Sequence, residues 1–368
     1  VQTCALPIYF AKSDVTMLDN NDVSEFYFKS GYSYFMNNEL PLASKQFQQI
    51  INTDSKYQSA ANFYYAHIAF ASGNYETALK SFNKLNESEA FGPFAPYYIT
   101  QIYFQQQRYD EVIKYAPGAL QKTGIQNANE IKRILSESYF RTGNYENASK
   151  GFEEYKTYSS ALNRDDLYKL GYSYYRIRSY QKAIDNLQRV VNIEDTLSQN
   201  AYFHLADCFL QSSNKTNARN AFQQASKTDY NLRIKEDALY NYGLLSYELG
   251  FSSAAINAFT TYLSKYENQA RKDKANQYLA QLYLTTNDYK NALTALDNIK
   301  TKNTETNLAY QRIAYNWGTE LYNDLDYPKA ISMFEKAIVN KSDERMAARA
   351  IYWKARSEEH TSELQSRF

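Results

Sequence analysis

The chain has 368 residues, 44% of them hydrophobic and 22% charged, with only 11 Gly and 6 Pro, a balance that folds and favours helix over turn-rich structure. A formal net charge of +1, without a block of like charges, sets nucleic acid and anionic membrane surfaces aside as main partners, and no run of about 18 apolar residues exists to span a bilayer. Tyr is the outlier at 37 copies, which points to one residue type recurring at fixed structural positions.

At the N-terminus, residues 1–8 resemble a translated strand of a sequencing-library adapter, as do residues 356–368 at the other end. Both are therefore left out of the reading of the fold, and the protein is expected to continue beyond them. Cys4 and His360 leave the inventory with these segments. Residues 9–23 read as the remnant of a preceding repeat.

From residue 24 to 355 the chain is periodic. A small or β-branched anchor recurs at Ala43, Ala78, Val112, Ala148, Ala183, Ala218, Ala255, Ala292 and Ala330, spaced by 34 to 38 positions. Numbering the anchor as place 20 of each repeat, place 24 holds Phe47, Phe82, Ala116, Phe152, Leu187, Phe222, Phe259, Leu296 and Phe334. Place 8 holds Gly31, Ala66, Thr100, Ser136, Gly171, Ala206, Gly243, Ala280 and Gly318. Small residues at places 8 and 20 let two antiparallel helices approach closely, while place 24 fills the space beside them. Turn signals fall between, as in Ser72-Gly73-Asn74, Thr142-Gly143-Asn144 and Thr286-Asn287-Asp288, where Gly or Asn can take the left-handed conformation that ends a helix. Pro41 and Pro328 open second helices, where a missing N–H costs nothing. The expectation is nine helical hairpins and the first helix of a tenth.

The third repeat departs from this pattern. Pro117-Gly118 falls inside its second helix and is expected to break it, either as a hinge or as a tolerated irregularity. In the fourth repeat Glu130, Arg133, Glu137 and Arg141 alternate in sign at helical spacing and are expected to pair along a solvated face.

On the first helix, places 4, 7, 8 and 11 form one stripe, and places 5, 9 and 12 another about 120° away. The second stripe carries Phe28, Tyr32, Phe35, Phe63, Phe70, Tyr97, Phe104, Tyr168, Tyr172, Tyr175, Phe203, Tyr240, Tyr247, Tyr315 and Tyr322. Such rings offer much contact area for little lost entropy, though packing against the adjacent repeat claims many of them. Nothing comparable points to catalysis. Cys208, left alone, excludes an internal disulfide and sits where a packing residue belongs. His67 and His204 lie in different repeats, and no phosphate loop or metal motif occurs. No cofactor or metal is expected.

The run Leu170-Gly171-Tyr172-Ser173-Tyr174-Tyr175 with Tyr180-Gln181-Lys182-Ala183-Ile184 resembles the tetratricopeptide repeat family, and the resemblance extends over residues 24–355. It implies an all-α, right-handed solenoid of helix-turn-helix units, a non-enzymatic scaffold that binds peptides or helices of other proteins. It places the aromatic stripe on the concave surface as the partner site. The carboxylate-clamping pair of Lys and Asn known in that family is absent. The composition also resembles the long repeat proteins of Bacteroidetes-type bacteria, which implies a periplasmic or outer-membrane setting. Alternatives are a dedicated subunit in cell-envelope assembly, an accessory region of an enzyme, and an RNA-binding helical repeat.

Overall fold

The computed structural model describes residues 15–158, 162–340 and 342–366; the adapter-like residues 1–8 fall outside these. Among the described residues there are 19 α-helices and no strand. The chain divides into two compact units at Ser179/Tyr180.

The first unit holds α1 (Asn20–Met36), α2 (Leu40–Gln48), α3 (Gln58–Ala71), α4 (Tyr75–Asn83), α5 (Ala95–Gln105), α6 (Tyr109–Leu120), α7 (Ala128–Arg141), α8 (Tyr145–Tyr158) and α9 (Arg164–Arg176). The second holds α10 (Tyr180–Leu187), α11 (Thr196–Gln211), α12 (Lys215–Ala225), α13 (Leu232–Glu248), α14 (Ser252–Lys265), α15 (Gln269–Thr285), α16 (Tyr289–Asp297), α17 (Thr304–Asn323), α18 (Tyr327–Val339) and α19 (Glu344–Ser366). Within each unit consecutive helices pack on one another.

The small and large register explains this packing. All nine place-20 anchors are fully buried, and the nine place-24 side chains are at most 2% exposed. A Cβ added at Gly31 would stand 2.8 Å from the ring of Phe47, so the ring lies directly on the facing backbone. Where place 8 is Ser136, room is made on the other helix, since a Cβ at Gly151 would collide with its Oγ.

Every hairpin turn closes with one backbone geometry. The amide three residues past the first helix donates to the carbonyl five residues back, from Glu39 to Tyr34, Asn74 to Ala69, Arg108 to Tyr103, and so on through Asp326 to Leu321, at 2.8–2.9 Å. The residue inside each turn has positive φ: Asn38, Gly73, Gln107, Gly143, Arg178, Ser213, Gly250, Asn287 and Leu325. This is the Schellman arrangement, which satisfies carbonyls that the helix end would leave unpaired. The loops between hairpins are braced differently. In the second unit the side chain of Gln199, 2% exposed, donates through Nε2 to the carbonyls of Ala225 (3.0 Å) and Thr228 (2.8 Å) and accepts the Asn231 amide at 2.7 Å. Asp273 accepts the amides of Lys300 and Thr301, and Gln311 those of Ser342 and Asp343.

One expectation needs correction. Pro117 does not break the second helix of the third repeat: α6 runs on to Leu120. Pro117 withholds an N–H from the Ile113 carbonyl only, and buried Val112, Ala116 and Ala119 hold the helix against its neighbours. At the C-terminal end, residues 356–366 continue α19, with Ser357 buried and the His360 ring stacked 5.1 Å from that of Tyr327. No Gly or Pro lies between Glu344 and Ser366 to stop the helix.

Candidate functional site: the aromatic face of the first helices

The rings on the second stripe separate by place. Those at place 5 lie against place 24 of their own hairpin: Phe28 on Phe47, Phe63 on Phe82, Phe203 on Phe222, Tyr240 on Phe259 and Tyr315 on Phe334, all with centroids 5.7–6.4 Å apart. They close over the core. Rings at places 9 and 12 reach a neighbouring element, as Phe28 and Phe63 also do through Tyr64 and Tyr98. Tyr32 and Phe35 meet Tyr64 at 5.4 and 5.1 Å, Phe70 meets Tyr98 at 5.6 Å, and Phe104 meets Tyr109 at 5.5 Å. In the second unit Tyr247 meets Tyr278 at 4.8 Å and Tyr322 meets Trp353 at 5.0 Å. None of the fifteen is fully buried, and Tyr32, at 40%, is the exposed one.

Tyr97 accepts a hydrogen bond from Gln101 at 2.7 Å. Tyr168 stacks on Tyr172 at 6.0 Å, Tyr172 stands 5.9 Å from Tyr175, and burial pushes the Tyr168 hydroxyl well above its usual value.

Three groups of residues were not singled out in the sequence. Tyr64, Tyr98 and Tyr278, at place 6, stack on place 24 of the preceding hairpin at 5.6, 4.8 and 5.4 Å; their recurrence at one place was the available signal. Phe140, at place 12, joins Tyr145 and Tyr172 in an edge-to-face triangle with sides of 5.7–5.8 Å. Arg176 lies over Tyr145 at 4.5 Å and donates from Nη1 to the hydroxyls of Tyr145 and Tyr172 at 3.1 Å each. It has no carboxylate partner among the described residues.

The charges of the fourth repeat pair as expected, but their face is solvated only in part: Arg141 is exposed, whereas Glu137 is buried. Arg133 contacts Glu130 at 2.9 Å and Glu137 at 3.7 Å, and Arg141 contacts Glu137 at 3.1 Å. Glu137 is 6% exposed because α9 covers it: Lys169, itself buried, reaches Glu137 at 2.9 Å, and buried Asp166 lies 3.8 Å from Arg133. Desolvation raises the Asp166 carboxyl above its ordinary value, against the pull of Arg133 and Lys169. Here ion pairs stand where other hairpins have rings.

Cys208 is fully buried, and burial pushes its thiol up to about 12. His67 and His204 lie on α3 and α11, in different units. Among the described residues no group of three or more His, Cys, Asp or Glu is placed to hold a metal ion, and no helix is long and apolar enough to cross a membrane.

Fold and face together define a protein of tandem helical hairpins with an aromatic first-helix face. Residues 168–231 match the family model described as tetratricopeptide repeat, and the register and turn of that stretch recur in the other hairpins. No curated protein sequence matches it. Similar solved structures include the C-terminal part of a TPR repeat-containing protein from Cytophaga hutchinsonii, with 16% identity, a TM-score of 0.45, and coverage of 67% of this chain and 98% of that one. A tetratricopeptide repeat protein from Parabacteroides merdae has 13% identity, TM-score 0.36, and coverage of 75% and 99%. Naa15/Naa10 bound to HypK-THB has 14% identity, TM-score 0.47, and coverage of 91% and 55%.

Proposed function

We propose that the chain is a non-enzymatic scaffold that binds segments of other proteins on the first-helix face of its hairpins. The observation that carries this reading is the division of labour among the rings. Place-5 rings rest on the core side chain of their own hairpin, whereas those at places 9 and 12, with Tyr32 exposed and the others half-buried like the place-5 rings, rest on a ring of a neighbouring element. A ring fixed in this way loses little freedom on binding, which is the property of an interface anchor. Around Tyr172 the face also offers Arg176, held flat by two tyrosines and free to meet a carboxylate or a backbone carbonyl.

Photocrosslinking tests the proposal. A benzophenone amino acid at Tyr172 is expected to give discrete adducts in the source cell, and one at Lys150, exposed on the second helix α8, is expected to give none. Tyr172→Ala with Tyr175→Ala should abolish adducts formed from a probe at Tyr168. Equal labelling from Lys150 and Tyr172, or no effect of the double substitution, would overturn the reading.

A further inference from the structure

The aromatic ladder lapses once in the second unit, and a cavity opens at that point. In the hairpin of α15 and α16, places 5, 9 and 12 are Gln277, Gln281 and Leu284, and place 24 is Leu296. The hairpins on either side hold a ring pair there, Tyr240 on Phe259 and Tyr315 on Phe334. Both rings of the pair are missing here. The first turns of the long helix α17 supply a further wall, and the result is an open cavity of about 80 Å³ floored by Ala280, Leu284, Leu296, Ala309 and Ile313.

Its rim is polar in a specific pattern. Gln277 donates from Nε2 to Thr306 Oγ1 at 3.2 Å, and Gln281 Oε1 accepts from the Tyr247 hydroxyl. These bonds fix both amides and leave one acceptor, Gln277 Oε1, and one donor, Gln281 Nε2, without partners among the described residues. They sit one helical turn apart, roughly 5–6 Å, a spacing compatible with the N–H and C=O groups of an extended peptide. Glu305, exposed at the same rim, has no cationic partner among the described residues.

We propose that this socket takes a branched aliphatic side chain, leucine or isoleucine, from an extended segment of a protein partner. Gln277 and Gln281 hold the backbone of that segment, and Glu305 pairs with a basic residue beside the anchor. The size decides for an aliphatic residue over a ring, since an enclosed cavity that accepts benzene is about 150 Å³. The proposal rests on the scaffold reading and deepens it by naming the chemistry of one partner residue.

The test uses the whole chain with ¹³C-labelled isoleucine methyl groups and follows Ile313 on the cavity floor, with Ile99 in the first unit as control. The probe is the capped peptide Ac-Gly-Lys-Leu-Gly-NH2, titrated to about 5 mM because so small a ligand binds weakly. A saturable shift of Ile313 and none of Ile99 is expected. Leu→Ala in the probe should weaken binding about tenfold, and Lys→Glu should weaken it in the native protein but not in Glu305→Gln. Gln277→Tyr, which restores the missing ring, and Ala309→Leu, which fills the same space from the opposite wall, should each abolish the Ile313 shift. An unmoved Ile313, equal shifts with the Leu and Ala probes, or a shift that persists in either folded variant overturns the socket. The Tyr172 crosslinks, in the other unit, report on the scaffold reading independently.

Discussion

Gln199→Leu removes the brace of the loop that follows α12 while nearly preserving side-chain volume. Three short hydrogen bonds vanish, two donated to the carbonyls of Ala225 and Thr228 and one accepted from the Asn231 amide, together with a longer one from Nε2 to the Asn231 carbonyl at 3.3 Å. At a net worth of about 1 kcal/mol each, the loss is about 3 kcal/mol. Leaving the partners dry would cost more, but an adjoining cavity lined by Asn192, Glu194 and Thr228 lets water reach the loop and keeps the figure at the low end. Burial of the leucine returns about 1 kcal/mol. The expected net destabilisation is about 2 kcal/mol, or a factor of about 30 in the opening equilibrium. Because repeat arrays need not unfold as one unit, two probes are needed. Fluorescence of Trp317 and Trp353, both in the second unit and the chain's 2 tryptophans, follows urea unfolding. Hydrogen exchange at Asn231, which caps α13 by accepting from Arg233 and Ile234, reads the loop itself and should accelerate about 30-fold. Unchanged exchange at Asn231 would refute the brace, whatever happens to the midpoint.

Lys169→Met strands Glu137 in a buried site with one fewer cation and should cost about 3 kcal/mol, read by far-UV circular dichroism in urea; the double change with Glu137→Gln should recover part of it. Leu325 holds positive φ while 69% exposed, so Leu325→Gly relieves strain without losing burial and should stabilise by about 1 kcal/mol, measured by the tryptophan transition. For Asp273, burial opposes ionisation, but hydrogen bonds from Gln269 and the Lys300 and Thr301 amides prevail and hold the carboxyl below its ordinary value. Its contribution is therefore present above the unfolded value near 3.9 and is lost as pH falls through the lower folded value; Asp273→Asn should flatten that acid limb of the stability profile. Cys208, with its thiol pushed up to about 12, should resist iodoacetamide at pH 8 in the native protein and react once urea unfolds it, as peptide mass spectrometry would record.

The hairpin array was legible because packing at places 8, 20 and 24 depends on size, and size repeats visibly. Turns containing Gly73, Gly143 and Asn287 announced themselves. Those at Gln107, Arg178, Ser213 and Leu325 did not, because tertiary packing sets their backbone against local preference. Pro117 misled for a related reason: one lost hydrogen bond near a helix end weighs less than three buried side chains. The site was harder to read. Tyr240 and Tyr247 look alike on a helical wheel, yet Tyr240 lies on its own Phe259 while Tyr247 spans to Tyr278. That distinction depends on a neighbouring helix whose placement periodicity does not specify. The burial of Glu137 arises likewise from α9, and the socket by Gln277 arises from rings that are missing.

The uniform turn has a consequence for how such a chain changes length. Each first helix ends in the same amide-to-carbonyl bond and the same backbone twist, so the junctions on either side of any hairpin within a unit are geometrically interchangeable. Removing the 35 residues that separate equivalent positions, such as Glu39 and Asn74, joins two ends already shaped to meet. Duplicating them inserts a cassette with its own closure. The reach of the aromatic face can then grow or shrink in whole hairpins, while the rings on the hairpins that remain keep their setting.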